Sequence, residues 1–133
     1  MFSDPDIERV AMQVALAYER SQGRVPEDVS RDNLGFDIRS RAADGQQRYI
    51  EVKGRAGAGV VALTRNEWFK AQRFGDEYFL YVVFNAAKPQ PTLHCIQNPA
   101  ASLRPEEHMD VRYLVSADDI RAHARIEHGW ARM

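Results

Sequence analysis

Apolar and polar positions alternate strictly in two short stretches of the chain. Phe36 and Ile38 are apolar while Asp37 and Arg39 are polar; Ile50 and Val52 are apolar while Glu51 and Lys53 are charged. Period-two alternation predicts two half-buried strands, and Ala43-Asp44-Gly45 between them predicts a hairpin. A different pattern fills Tyr78 to Phe84, which is apolar on both alternations and predicts a strand covered on both faces. Ile7, Val10, Ala11, Val14, Ala17 and Tyr18 recur at helical spacing. They predict a helix opened by Asp4-Pro5, running to about Gln22 and stopped by Gly23. Thr64 and Glu67 form a capping box for a second helix, with Trp68, Ala71 and Phe74 facing inward and Gly75 as the stop.

The rest of the chain carries weaker patterns. Residues 24–34 read as a connecting loop with at most a short extended piece from Val25 to Val29, and Gly54, Gly57 and Gly59 mark a flexible link. Val60 to Leu63 is expected as a short buried strand, Thr92 to Ile96 as a strand returning beside Tyr78–Phe84, and Tyr113 to Val115 as an edge strand. Pro99 and Pro105 predict an irregular stretch, Ser116 and Asp119 cap a last helix, and Trp130 is expected to pack on the body.

Loop length decides which hairpin side chains meet, because a one-residue slip turns a strand over. A two-residue turn would set Ile38 opposite Glu51. A three-residue loop with Gly45 as a left-handed bulge pairs Ile38 with Ile50 and Asp37 with Glu51. Phe36, Ile38, Ile50 and Val52 then share a buried face, and Asp37, Glu51 and Lys53 the other. Directly opposed side chains have Cβ atoms about 5 Å apart, so two carboxylates there repel unless a proton or a cation intervenes. A divalent cation of the Mg²⁺ kind is held by one or two carboxylates with waters and phosphate oxygens. By spacing alone, a solvated hairpin face with an ordinary Glu51–Lys53 surface pair accounts for the same residues.

Composition bounds the setting. With 133 residues, 44% hydrophobic and 28% charged, the chain predicts one globular domain with a real core. The net charge of -1 gives no sign of a polyanion partner, although most of the 18 basic residues are Arg, the side chain suited to forked phosphate contacts. Cys95 is the single cysteine and no Cys/His cluster offers a zinc site, which predicts a reducing, cytoplasmic compartment. Neither a signal peptide nor a membrane-spanning run is expected. The three linker glycines do not follow the strand-to-helix order of a phosphate loop, and His94, His123 and His128 lack metal spacing.

Asp37, thirteen residues, then Glu51-Val52-Lys53 resembles the D…ExK motif of the restriction-endonuclease-like PD-(D/E)XK nuclease superfamily, with Phe36 where the motif has proline. More narrowly, the blocks AYERSQGR, GFDIRSR, YIEVKGR, ALTRNEW and GDEYFLYVV are similar to the NO VEIN C-terminal domain family, over residues 7–84. The resemblance implies an α/β three-layer sandwich with a central mixed sheet and an αβββαβ core, occupying residues 1–133 as one domain and open to being a piece of a larger protein. It implies hydrolysis of phosphodiester bonds in nucleic acid, DNA first, with Mg²⁺ or Mn²⁺ held by Asp37, Glu51 and the Val52 carbonyl. Lys53 would position water or stabilise charge, and Glu19, near the end of the first helix, would reach the metal. Arg39, Arg41, Arg55, Arg65 and Arg73 are the candidate phosphate contacts, with Lys70 and Gln72 weaker ones. The alternative is a catalytically inactive module of the same fold that binds nucleic acid or docks onto a helicase-like or defence protein; a purely structural interaction domain is the third reading.

Overall fold

A computed structural model describes residues 3–129. Helix α1 (Asp4–Ser21) is followed by β1 (Val25–Asp28), a single 3-10 turn, β2 (Ile38–Arg41) and β3 (Gln47–Gly54). Helix α2 (Arg65–Phe74), β4 (Tyr78–Phe84) and β5 (Thr92–Gln97) complete the body, and two short helices, α3 (Pro99–Ser102) and α4 (Ala117–His123), follow. The five strands form one mixed sheet in the order β1-β2-β3-β4-β5, with β3 and β4 parallel and the other pairs antiparallel. Up to β4 the order is αβββαβ.

The hairpin has the three-residue loop. Ala42 and Gln46 close it (N···O 2.8 Å), Gly45 N–H bonds back to Ala42 at 3.0 Å, and Gly45 sits at φ +88°, where a side chain is strained. Ile38 therefore pairs with Ile50 and Arg41 with Gln47. β4 lies between β3 and β5, which explains why it is apolar on both faces. One face carries Ile38, Ile50, Val52, Phe79, Tyr81 and Val83 under α1; the other carries Tyr49 and Tyr78 under Ala71 and Phe74 of α2. Gly54 at the end of β3 lets α1 come close, since a Cβ there would stand 2.8 Å from the Ala11 Cβ.

Several elements differ from the sequence pattern. The third strand of the αβββαβ core is β1, not Val60–Leu63. Val60 is 84% exposed and its segment forms no strand, because both neighbours of β4 are already in place. β1 is an edge strand held through its backbone to β2, so it needs no apolar alternation, and Pro26 is tolerated there. Tyr113–Val115 forms no strand and is exposed, and Pro99–Ser102 makes one helical turn behind an Asn98 cap instead of staying irregular. The α1 cap is Ser3, which exchanges hydrogen bonds with Asp6, so Asp4 and Pro5 fall inside the helix. Its buried stripe runs Ile7, Ala11, Ala15, Glu19, with Ala17 exposed. Phe36 lies ahead of β2 and turns to the α2 face, edge-on to Tyr49 at 5.0 Å and Phe74 at 6.0 Å. The Thr64–Glu67 and Ser116–Asp119 caps form as the sequence indicates. Trp130 lies outside the described residues.

Candidate active site

Asp37 stands immediately before the first residue of β2, and its backbone is held on both sides. Its N–H donates to the Ile50 carbonyl and its carbonyl accepts from Val29 N–H, each at 2.8 Å. Tyr78 Oη, donating to the Gly35 carbonyl at 2.8 Å, ties the preceding turn to the sheet. The side chain then takes the place of the missing next rung: Asp37 Oδ2 accepts Val52 N–H at 2.9 Å. The N–H and carbonyl of one residue lie on the same side of an extended strand, so the Val52 carbonyl also faces the space that β2 has vacated.

Glu51, one step past the Ile38–Ile50 pair, is 3% exposed and interacts directly with the Asp37 carboxyl. Lys53, two residues further on the same face, has its Nζ 3.3 Å from Glu51 Oε2 and 2.9 Å from Glu67 Oε1. Asp37, Glu51 and Lys53 are thus brought together on the face that carries α2. Glu67 is the site residue that the sequence reading assigned only to a helix cap. Its Oε1 also accepts Thr64 N–H at 2.9 Å, so the capping box that starts α2 fixes a carboxylate beside Lys53. The box was visible in sequence; that the start of α2 abuts the end of β3 was not.

The electrostatics follow from three acids and one amine in a largely buried place. Burial, then the charges of Asp37 and Glu67, push the Glu51 carboxyl up to about 9. Asp37 is also raised, chiefly by burial, against the pull of the Val52 N–H. For Lys53, burial works against the ammonium, but Glu51 and Glu67 outweigh it and its pKa rises. At neutral pH the group therefore holds a proton on the carboxyl pair and a charged lysine beside it.

Glu19 is not part of this group. It is completely buried on the opposite, α1 face of the sheet, with Arg24 donating to both its oxygens (2.6 and 2.9 Å) and Tyr81 Oη donating at 2.7 Å. Burial opposes its charge, yet the Arg24 and Tyr81 hydrogen bonds hold its pKa below the ordinary carboxylate range. Ser40 Oγ, buried against the same carboxylate, makes no hydrogen bond of good geometry. The stripe that sequence spacing centred on Val14 and Tyr18 is rotated in the fold, which turns Glu19 from the margin of α1 into its buried face. Glu19→Gln, which leaves Arg24 without a counter-charge, is expected to cost about 1–3 kcal/mol in urea unfolding while leaving any response to divalent metal intact. An unchanged unfolding midpoint would show that the pair does not hold α1 to the sheet.

The candidate arginines do not form one patch. Arg39 is paired with Glu27 across β1 and β2 at 3.3 Å, and Arg41 is exposed at the hairpin end of β2. Arg55 follows β3 and lines a recess with Asp4, Ile7 and Gly57. Arg65 and Arg73 are exposed in the first and last turns of α2. A recess of about 390 Å³ lined by Arg24, Arg48, Phe79 and Gln97 holds none of the candidate catalytic residues. Among the described residues no group of three or more His, Cys, Asp or Glu side chains is placed to hold a metal ion, and no helix is long and apolar enough to cross a membrane.

The order of elements and the neighbouring Asp37 and Glu51 carboxyls return the question to family. The sequence profile described as Protein NO VEIN, C-terminal, matches residues 7–96, from α1 into β5. The chain belongs to the NO VEIN C-terminal family. The match contains Asp37, Glu51, Lys53 and Glu67 and stops before α3 and α4. No curated protein and no solved structure matches the chain.

Proposed function

We propose that this NO VEIN domain is a divalent-metal-dependent nuclease that hydrolyses phosphodiester bonds in nucleic acid, DNA being the first substrate to test. The observation that carries the reading is the half-buried Asp37 carboxyl set against that of the buried Glu51, with Lys53 held 3.3 Å from Glu51. Such a pair is unfavourable in a structural role, since Asp37, Glu51 and Glu67 have only the one ammonium of Lys53 among them. It fits a hard divalent cation: two carboxylates and a carbonyl, that of Val52, make an oxygen donor set of the kind Mg²⁺ or Mn²⁺ takes, with room for water and phosphate oxygens. A bound cation supplies polarisation of the phosphoryl oxygen and an acidified water.

The protein's own groups divide the remaining work. Val52 N–H and the Ile50 carbonyl orient Asp37, and burial fixes Glu51. Lys53, kept protonated by Glu51 and Glu67, acts as a hydrogen-bond donor to water or to a phosphate oxygen, not as a base. A reducing cytoplasmic setting suits the exposed, unbridged Cys95. A docking module on a helicase-like or defence protein is the second reading, favoured by the exposed apolar side chains Met109, Val111, Tyr113 and Leu114 beyond the family match.

Incubation with plasmid, linear and single-stranded DNA and with RNA, each with Mg²⁺ and with Mn²⁺, tests the reading. Cleavage of at least one substrate, stopped by chelation, is expected. Four intact substrates under both metals would remove the nuclease reading in favour of docking.

A further inference from the structure

Helix α2 turns Glu67, Ala71 and Phe74 toward the sheet, while Arg65, Phe69 and Arg73 stay at the surface. Arg65, Phe69 and Arg73 follow one another at four-residue spacing, which places them on one strip along the helix, about 6 Å apart per step. Phe69 is 57% exposed. Arg65 and Arg73 are exposed and, among the described residues, take part in no ion pair or side-chain hydrogen bond, unlike Arg24 and Arg39, which are both paired. The only acid of α2, Glu67, is turned inward and held by Lys53 and Thr64, so the outer face is purely cationic and aromatic. Asn66 and Gln72 border the strip with further hydrogen-bonding groups.

We propose that this outer face of α2 binds single-stranded nucleic acid, with an unpaired base stacked on Phe69 between phosphates held by Arg65 and Arg73. As a statement of substrate class it rests on the nuclease reading of the site.

Three features favour this occupant over an acidic protein segment. Guanidinium groups on either side of an exposed ring match a chain that alternates phosphates with flat bases, whereas a carboxylate-rich peptide offers the ring nothing to stack on. A duplex buries the faces of its bases in its own stack, so only an unpaired base can lie on Phe69. The strip also begins at the first turn of α2, the turn that carries Glu67 on its inward side.

The test is equilibrium binding in EDTA, where no cleavage occurs, of a fluorescein-labelled oligothymidylate and of a duplex of the same length. Phe69→Ala is expected to weaken oligothymidylate binding about tenfold, to leave duplex binding within twofold, and to be rescued by Phe69→Trp. Alanine is a better helix former than phenylalanine and position 69 is exposed, so the variant keeps α2. Arg65→Ala and Arg73→Ala should each lower the slope of log affinity against log salt by about 0.7. Equal affinity of wild type and Phe69→Ala for oligothymidylate would overturn the proposal. So would an equal loss for duplex, or displacement of the oligonucleotide by polyglutamate as effectively as by unlabelled strand. Because Phe69 lies outside the carboxylate pair, failure of the nuclease reading shows as intact stacking without cleavage, and failure of this proposal as cleavage indifferent to Phe69.

Discussion

Replacing Glu51 by glutamine is expected to make the metal-free protein more stable at about pH 8, by on the order of 5 kcal/mol. Its carboxyl is pushed up to about 9, by burial first and then by Asp37 and Glu67, against an ordinary value of 4.5. Between those values the folded chain holds a proton that the unfolded chain has lost. Stability of the wild type must then fall as pH rises through this window, the contribution being whole below about pH 4.5 and gone above about pH 9. Asp37, raised by burial as well, adds a slope of the same sign. Lys53 adds none there, because its shift lies above the window, and Glu19, which is lowered, acts only at the acid end. Glutamine takes up no proton on folding, so the gap between the two proteins should widen with pH and close near pH 4. Urea unfolding in EDTA across this range reads it directly. Parallel curves for wild type and Glu51→Gln would show that Glu51 is not a strained acid. Added Mg²⁺ should narrow the gap, stabilising the wild type by about 2.7 kcal/mol at a hundredfold excess over its Kd and the variant hardly at all.

Loss of turnover without loss of metal is the result expected for Lys53→Ala. Lys53 is no ligand in the proposed site, so the Mg²⁺-induced rise in stability should persist. Cleavage should fall by about 10²–10³-fold, the usual cost of removing one preorganised donor from a charge that develops in the transition state. Glu67→Gln separates holding from donating, since glutamine still completes the capping box with Thr64 but no longer anchors the ammonium. A smaller loss, about tenfold in kcat, is expected from it. Cleavage by Lys53→Ala at the wild-type rate would remove Lys53 from the chemistry.

The hairpin and its register were legible because two independent local signals agree: apolar positions at Ile38 and Ile50, and a glycine where the three-residue loop needs positive φ. The central strand was legible because a strand buried on both faces cannot carry polar residues. β1 was legible only as a short extended piece within a loop, since an edge strand pairs through its backbone and Val25 and Glu27 remain in water. The reverse error at Val60–Leu63 and Tyr113–Val115 has the same root: short apolar runs state what a strand would bury without saying whether the sheet has a free neighbour. Alternation puts Phe36 on the Ile38 face only if both lie in one strand, and β2 begins at Ile38. Glu19 was misplaced because a helical stripe drawn from the larger apolar residues is rotated from the one that α1 buries, which is centred on Ala11 and Ala15. Glu67 escaped notice as a site residue because a capping box explains it fully within its own helix, and its second role depends on a contact with Lys53 fourteen positions away.

The central claim is that the Asp37–Glu51 pair seats a divalent cation, and crystals grown with Mn²⁺ test it most directly through the anomalous signal of the metal. The expected result is a peak at about 2.1 Å from a carboxylate oxygen of each residue, on the Val52 carbonyl side, absent from crystals of Asp37→Ala. Ordered Asp37 and Glu51 side chains with no anomalous peak between them, at Mn²⁺ levels that support or should support cleavage, would contradict the claim.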